Sequence, residues 1–302
     1  MVMLRDFINS INFVLEHPLT RHRRGSAFLR VLLWQIGARL LRQPVLFAWV
    51  NNTRLIVERG MAGATGNYYC GLHEFNDMGF LLHYLAPGEL FVDIGANVGT
   101  YTVLAAGAAG ADVVSFEPIP STFNHLVDNI NVNGLTNLVR VHNVGLSSQR
   151  GVLRFSAGLD AENHVISADE STLMDVTMVS VVGLDDMLGE RRPRMIKMDV
   201  EGYETEVISG GELTFGAEQL EVVLIELNGA GVRYGFEESA IRMHFEKLGF
   251  KPCHYDPYSR HLQIIDDKEA SKSGNTLYVK NVEVVQTKVL SSKSFRVLGE
   301  TI

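Results

Sequence analysis

From Leu90 onward, short apolar runs alternate with stretches of helical period, and the runs are apolar enough to be covered on both faces. They predict strands at Leu90–Ile94, Asp112–Phe116, 138–143, Met195–Met198 and Val222–Glu226. Helical spacing fills most of the gaps, at 100–109, 121–132, 203–209 and 237–248; a serine cap opens the second and Gly249 closes the last. Strand and helix in turn is the pattern of a parallel sheet with crossover helices. The alternation breaks twice. Gly151–Ala157 and 176–182 read as a β-hairpin insertion around a polar loop, 159–173, and 250–255 with 275–280 read as two antiparallel strands joined by an exposed loop. The chain thus divides into an N-terminal helical cap segment (1–66), a main α/β domain (67–281, insertion about 150–182) and a C-terminal tail (282–302).

The most apolar early stretch, 28–50 (FLRVLLWQIGARLLRQPVLFAWV), carries Arg30, Arg39 and Arg42, whose cost at a bilayer centre excludes a spanning helix. Its helical spacing fits a cap packed on the main domain, and the basic residues Arg21 to Arg24 just upstream leave peripheral contact with an anionic membrane as the second reading. The opening MVMLRDFINSINF lacks the pattern of a secretory signal. At 302 residues and 46% hydrophobic the chain buries a core of ordinary size, and a net charge of -8 argues against nucleic acid as a partner. Cys70 and Cys253 lie far apart without CxxC spacing, so no disulfide framework or cysteine zinc site is expected, and a cytoplasmic setting fits.

In Asp93-Ile94-Gly95-Ala96-Asn97-Val98-Gly99, a dinucleotide fingerprint would need a further glycine where Asn97 stands. Its absence, with a carboxylate at Asp93, disfavours a pyrophosphate and suits a cationic ligand; S-adenosylmethionine is the candidate. Glu117 ends the second strand, placed for a ribose diol in either kind of cofactor. An NAD-dependent oxidoreductase and a non-catalytic binding module are the competing readings.

The runs LFVDIGANVGTYT, VVSFEP, HNVGLSS, IKMDVEGYETEVISGG and VVLIELN, in this order, resemble the motifs of the FkbM family of S-adenosylmethionine-dependent methyltransferases, and the lead-in GNYYCGLHEFNDMGFLLHYLAPGE resembles that of bacterial members. The likeness covers roughly residues 67 to 280. It implies a class I, Rossmann-like fold with a seven-stranded sheet whose last strand is antiparallel, and O-methylation of a hydroxyl on a sugar or other small molecule. By position it implies that Asp93, Gly95, Asn97 and Gly99 line the methionine part, Glu117 holds the ribose, Asn143 and Val144 lie near the adenine, and Asp199 faces the methyl group.

Lys197, Asp199 and Glu201 follow period two at the end of the fourth strand, so the first two share a face and Glu201 joins them if the strand continues. Asp199 is the candidate base or orienting group for the acceptor hydroxyl, with Lys197 and Glu201 beside it. A structural ion pair from Lys197 to Glu226 is the plainer alternative. No metal is expected; the alternative weighed is a divalent cation on Asp199, Glu226 and Asn228. His73 and His142 are within reach as bases, and Tyr68, Tyr69 and Phe75 could wall the cofactor, but each is more simply structural. The polar loop residues Asp160, Glu162, Asn163, His164 and Asp169 agree with a hydroxylated acceptor.

Overall fold

The computed structural model describes residues 10–40, 43–157, 163–167, 175–266 and 274–302. Its centre is a mixed sheet of eight strands: β1 (Leu90–Ile94), β2 (Asp112–Phe116), β3 (Val139–His142), β4 (Met195–Met198), β5 (Val222–Glu226), β6 (Lys251–Asp256), β7 (His261–Ile264) and β8 (Asn275–Val279). Their order across the sheet is β7-β6-β8-β5-β4-β1-β2-β3. Strands β1 to β5 run parallel, β8 lies antiparallel between β5 and β6, and β7 pairs antiparallel with β6. The expected pair 250–255 and 275–280 is therefore real, at Lys251–Asp256 and Asn275–Val279. The stretch between them is not all loop, since β7 turns back on β6 and makes eight strands where seven were expected.

Residues on β1 and β2 alternate between two cores by the two-residue period of a strand. Phe91 and Val113 join the layer holding the N-terminal segment and both termini of the described chain, whereas Val92, Ile94 and Val114 join the layer of helices Leu184–Leu188 and Glu238–Lys247. The chain leaves β1 toward β2 and β3, then returns to β4 on the other side of β1. This reversal opens a crevice at the carboxyl ends of β1 and β4, where ligands of open α/β sheets bind.

Three local expectations change. The helix after β2 is Pro120–Val132, with Pro120 at its first turn and no side-chain cap: the ring presets φ and needs no amide partner, so the serine cap is not used. The helix after β1 is α-helical only over Thr100–Val103 and continues as a π-helix over Leu104–Ala109, whose Ala and Gly residues lie against helix Phe75–Tyr84. The insertion pairs Gly151–Ala157 with Asp175–Val182, and Gly145–Leu146 adds a third, parallel strand. Much of its loop, 159–173, lies outside the described residues; of the rest, Val165 bridges to Phe155.

The flanking segments are parts of the main core. The hairpin of Val45–Ala48 and Arg54–Val57 docks on helix Pro120–Val132 through Asn129, whose side chain accepts the Ile56 amide at 2.7 Å. At the other end Phe295 and Ile302 exchange two backbone hydrogen bonds of 3.0 Å and both are buried, at 1% and 4% exposure. The last residues close the core instead of trailing from it. Phe295→Ala should cost about 3–5 kcal/mol in chemical denaturation, as large-to-small core changes do; a loss below about 1 kcal/mol would show that the C-terminal closure is dispensable.

Candidate functional site

A cavity of about 480 Å³ opens at the carboxyl ends of β1, β2 and β4, bounded by the glycine loop, Glu117, Ile119, Lys197, Asp199 and Glu226. The loop is shaped by two close approaches. Gly95 has φ +74°, and a Cβ there would lie 1.9 Å from the Asp199 carbonyl oxygen. Gly99 has φ +88°, and a Cβ there would meet Leu126 at 2.5 Å, so Gly99 serves helix packing and does not line the cavity. Asn97 accepts a positive φ of 50°, which asparagine tolerates better than most residues.

Every amide of this loop is already used. Gly95 and Ala96 donate to the Phe116 carbonyl at 3.0 and 2.9 Å, and Gly99 donates to Ala96 at 2.9 Å. Asn97 donates to Glu117 Oε2 at 2.9 Å and Val98 to Asn97 Oδ1 at 2.7 Å. A loop that spends its donors internally has none to offer a pyrophosphate. Glu117 also accepts the Ile119 amide on Oε1 at 2.9 Å, and each carboxylate oxygen keeps capacity for a further donor such as a ribose hydroxyl. Burial pushes this carboxyl up to about 7.

The second half of the site is a charge cluster. Lys197, 5% exposed, places Nζ 2.9 Å from Asp199 Oδ2 and 5.0 Å from the centre of the Tyr101 ring. Burial alone would lower the ammonium, but Asp199, Asp93 and Glu74 outweigh it and hold it above the ordinary lysine value. For Asp199 burial works upward and Lys197 wins, so its carboxyl lies below the usual range. Glu226, pushed up by burial and then by the charge of Asp199, reaches about 8. Carboxylate oxygens of Asp199, Glu201 and Glu226 all lie within 4.8 Å of one another. Glu201 reaches this place because the chain turns sharply after β4, with φ +53° at Glu201 and +97° at Gly202, and Glu204 accepts the Gly202 amide at 3.1 Å.

A third group comes from the lead-in. The Tyr101 hydroxyl donates to Glu74 Oε2 at 2.8 Å, and Asn275 Nδ2 donates to Glu74 Oε1 at 2.6 Å and Asp77 Oδ2 at 3.0 Å. Burial, then Glu74, pushes Asp77 up to about 7. Glu74 and Tyr101 line the cavity and stand inside runs that resemble the family's, but nothing in those runs marks them as partners of each other or of Asn275. They meet because Asn275 stands opposite Glu226 in the β5–β8 register and Tyr101 follows the glycine loop.

A parallel sheet reversed at β1, with a glycine loop after its first strand, an acid ending its second and an antiparallel strand beside β5, is the class I methyltransferase fold. Residues 93–252, more than half of the chain, match the methyltransferase FkbM domain, and the chain belongs to that family of S-adenosylmethionine-dependent methyltransferases. It is 31% identical over 154 residues to the hexuronic acid methyltransferase AglP of Haloferax volcanii, covering 50% of this chain and 61% of that one. It is 30% identical over 175 residues to the 31-O-demethyl-FK506 methyltransferase FkbM of Streptomyces tacrolimicus, covering 46% of this chain and 66% of that one. The chain spans less than two thirds of the length of these relatives. Among solved structures, a TehB-like methyltransferase from Corynebacterium glutamicum is similar with a TM-score of 0.39 and 11% identity, covering 72% of this chain and 94% of that one.

Of the residues expected at the site, Gly95, Asn97, Glu117, Val144, Lys197, Asp199, Glu201, Glu226 and Asn228 line the cavity, as does His73. Asp93 lies beneath it, fully buried, with Oδ2 accepting from Thr102 at 2.6 Å. Asn143 is exposed and donates to the Glu117 and Pro118 carbonyls at 2.8 and 3.0 Å, which braces the end of β2. The Lys197 ion pair joins Asp199 on its own strand in place of Glu226. Asn228 turns its amide nitrogen toward Glu201 and Glu226 at 3.4 and 3.5 Å, so Glu201 takes the third place beside Asp199 and Glu226 that Asn228 was expected to fill. His142 stacks on Phe116 at 5.2 Å and does not line the cavity. Tyr68 packs on Trp34 and Phe47, and Phe75 on Tyr258, as core contacts.

These shifts set a pH dependence. Asp77, Glu117 and Glu204, raised to about 7, and Glu226, raised to about 8, keep protons in the folded state that the unfolded chain releases near its ordinary carboxyl values. Stability therefore falls as pH rises through that interval. His17 and His83, lowered by burial to about 4, and His73 and His142, lowered by burial without a stated value, act in the opposite direction up to the ordinary value of 6.5. The two effects oppose below about pH 6.5 and only the acids remain above it. The melting temperature of the ligand-free protein should change little between about pH 5 and 6.5 and fall toward about pH 8.5, with Glu226→Gln flattening the fall; a rise over the upper interval would overturn the assignment.

Proposed function

We propose that this chain transfers the methyl group of S-adenosylmethionine to a neutral hydroxyl of a small molecule or sugar. The observation that carries the reading is the closed glycine loop beside a surplus of carboxylates: the amides of Gly95 to Gly99 are all spent, and a cationic ligand relieves the crowded negative charge. Glu117 holds the ribose hydroxyls, Gly95 lets the Asp199 carbonyl close on the loop, and Ile119 with Val144 flanks the adenine. The bound cofactor supplies an electrophilic methyl on a sulfonium whose charge is lost on transfer.

The chain's own part is to orient the acceptor and take its proton. Asp199, fixed by Lys197, holds the hydroxyl in line; Glu226 beside it, raised to about 8, takes the proton in its ionised form, whose share grows as pH rises toward that value. The methyl carbon gains a bond to the acceptor oxygen as its bond to sulfur breaks, and the hydroxyl proton passes to the Asp199–Glu226 pair. Lys197 does not react; it keeps Asp199 charged and in place.

The acceptor's charge follows from the same lining. Lys197 is the sole lysine or arginine on the cavity among the described residues, against the acids Glu74, Glu117, Asp199, Glu201 and Glu226. A neutral hydroxyl suits such a wall better than a uronate, although one relative is named for hexuronic acid.

Calorimetric titration with S-adenosylhomocysteine, in EDTA and again with magnesium, tests the cofactor. Binding should be the same in both media and should weaken about tenfold to a hundredfold in Glu117→Ala, as removing hydrogen bonds to a ligand does. Asp199→Asn should retain that binding and lose about 100-fold or more in transfer from labelled S-adenosylmethionine to neutral glycosides. Absence of binding in both media would refute the reading; preference for uronides over neutral glycosides would refute its acceptor half.

A further inference from the structure

Helix Arg24–Leu40 is apolar on two opposite sides. Ala27, Val31 and Trp34 face the core, Arg30 donates to the Tyr69 carbonyl at 2.9 and 3.2 Å, and the Trp34 ring lies 5.3 Å from Tyr68. Phe28, Leu29, Leu32, Leu33, Ile36 and Leu40 are between 40% and 76% exposed. At 100° per residue these six fall within one arc of about 140°, so they form a continuous stripe and not scattered surface residues. The helix, about 25 Å long at 1.5 Å per residue, is neither long nor apolar enough to cross a membrane.

Charge selects what covers the stripe. Residues 17–57 contain seven arginines and no aspartate or glutamate, while the rest of the chain carries 35 acidic residues against 20 basic ones. Arg21, His22, Arg23 and Arg24 are all exposed at the helix N-terminus, with Arg23 also 3.4 Å from Glu300. A second copy docked through this stripe would set arginines against arginines with no acid in either segment to pair them. An anionic bilayer neutralises them and covers the apolar stripe at once.

We propose that helix Arg24–Leu40 lies in the surface of an anionic membrane, its six exposed apolar side chains entering the acyl boundary and the upstream arginines meeting lipid phosphates. The inference does not rest on the methyl-transfer reading. Its geometry bears on that reading all the same: the helix packs on helix Ala62–Cys70, whose first residues line the cavity, so the docked face is one helix away from the site.

Sedimentation of the full chain with phosphatidylcholine vesicles, with and without phosphatidylglycerol, tests it. The protein should pellet with the anionic vesicles, less so in raised salt, and weakly with phosphatidylcholine alone. The triple variant Leu29→Gln, Leu33→Gln, Ile36→Gln should lose about tenfold or more of that binding, and Arg21→Gln with Arg24→Gln should lose the dependence on phosphatidylglycerol. Because these side chains point outward, melting temperature and S-adenosylhomocysteine binding should stay at wild-type values, which separates lost docking from misfolding. Equal pelleting with both vesicle types, no pelleting, or a triple variant that binds as wild type would overturn the proposal. So would a dimer that the triple variant dissociates without any vesicle binding, which would assign the stripe to a second copy.

Discussion

One buried ammonium makes the acidic end of this sheet tolerable. Asp93 is fully buried and its Oδ1 has no hydrogen-bond partner among the described residues, a state that costs several kcal/mol if the carboxylate is charged and unopposed. Lys197 stands directly opposite it in the β1–β4 register and also reaches Asp199 at 2.9 Å. The charges of Asp199, Asp93 and Glu74 each hold the ammonium above its ordinary value. The lysine is thus the shared counterion of residues from the lead-in helix, β1 and the end of β4. Their positions depend on each other through it, although only two of them are near in sequence.

The loop and the charge cluster discriminate among ligands in different ways that agree. A glycine loop at the head of a helix would ordinarily gather amides toward an anion. Here Asn97 replaces the glycine that would allow that approach, and its side chain and Glu117 accept two of the loop amides. The carboxylates nearby raise one another: Glu226 and Asp199 cannot both be fully charged at little cost. Closing the amides removes attraction for an anion, and crowding the acids creates attraction for a cation.

How much of this could be read from the chain alone depends on where the information sits. The strands β1, β2, β4 and β5 were legible to the residue because apolar runs covered on both faces end abruptly in polar positions. The Lys197–Asp199 contact follows from two-residue spacing, but its exclusivity does not: spacing leaves Glu226 on the adjacent strand equally open, and only the folded chain shows Lys197 on Asp199 and over the Tyr101 ring. The meeting of Glu74, Tyr101 and Asn275 was invisible for a different reason. They come from three separated segments joined only by the antiparallel register of β5 and β8, and no local period encodes a register. The family likeness, for its part, placed Asn143 near a ligand, whereas the structure spends its amide on the two carbonyls after β2. A motif preserves a position, and the backbone decides what that position does.

The distribution of charge joins the two ends of the molecule into one argument. Segment 17–57 holds arginine without acid, and the remainder holds acid in excess. Folding does not mix them evenly: three of the seven arginines, Arg21, Arg23 and Arg24, stand exposed at the start of helix Arg24–Leu40, while Glu74, Glu117, Asp199, Glu201 and Glu226 line the cavity one helix layer away. Such separation gives the protein a dipole, and a dipole near an anionic surface orients before it touches. The basic side turns inward and the acidic cavity is kept from facing the lipid phosphates directly. The arginines at the head of the helix and the acids of the cavity are therefore two sides of one division of charge along the chain.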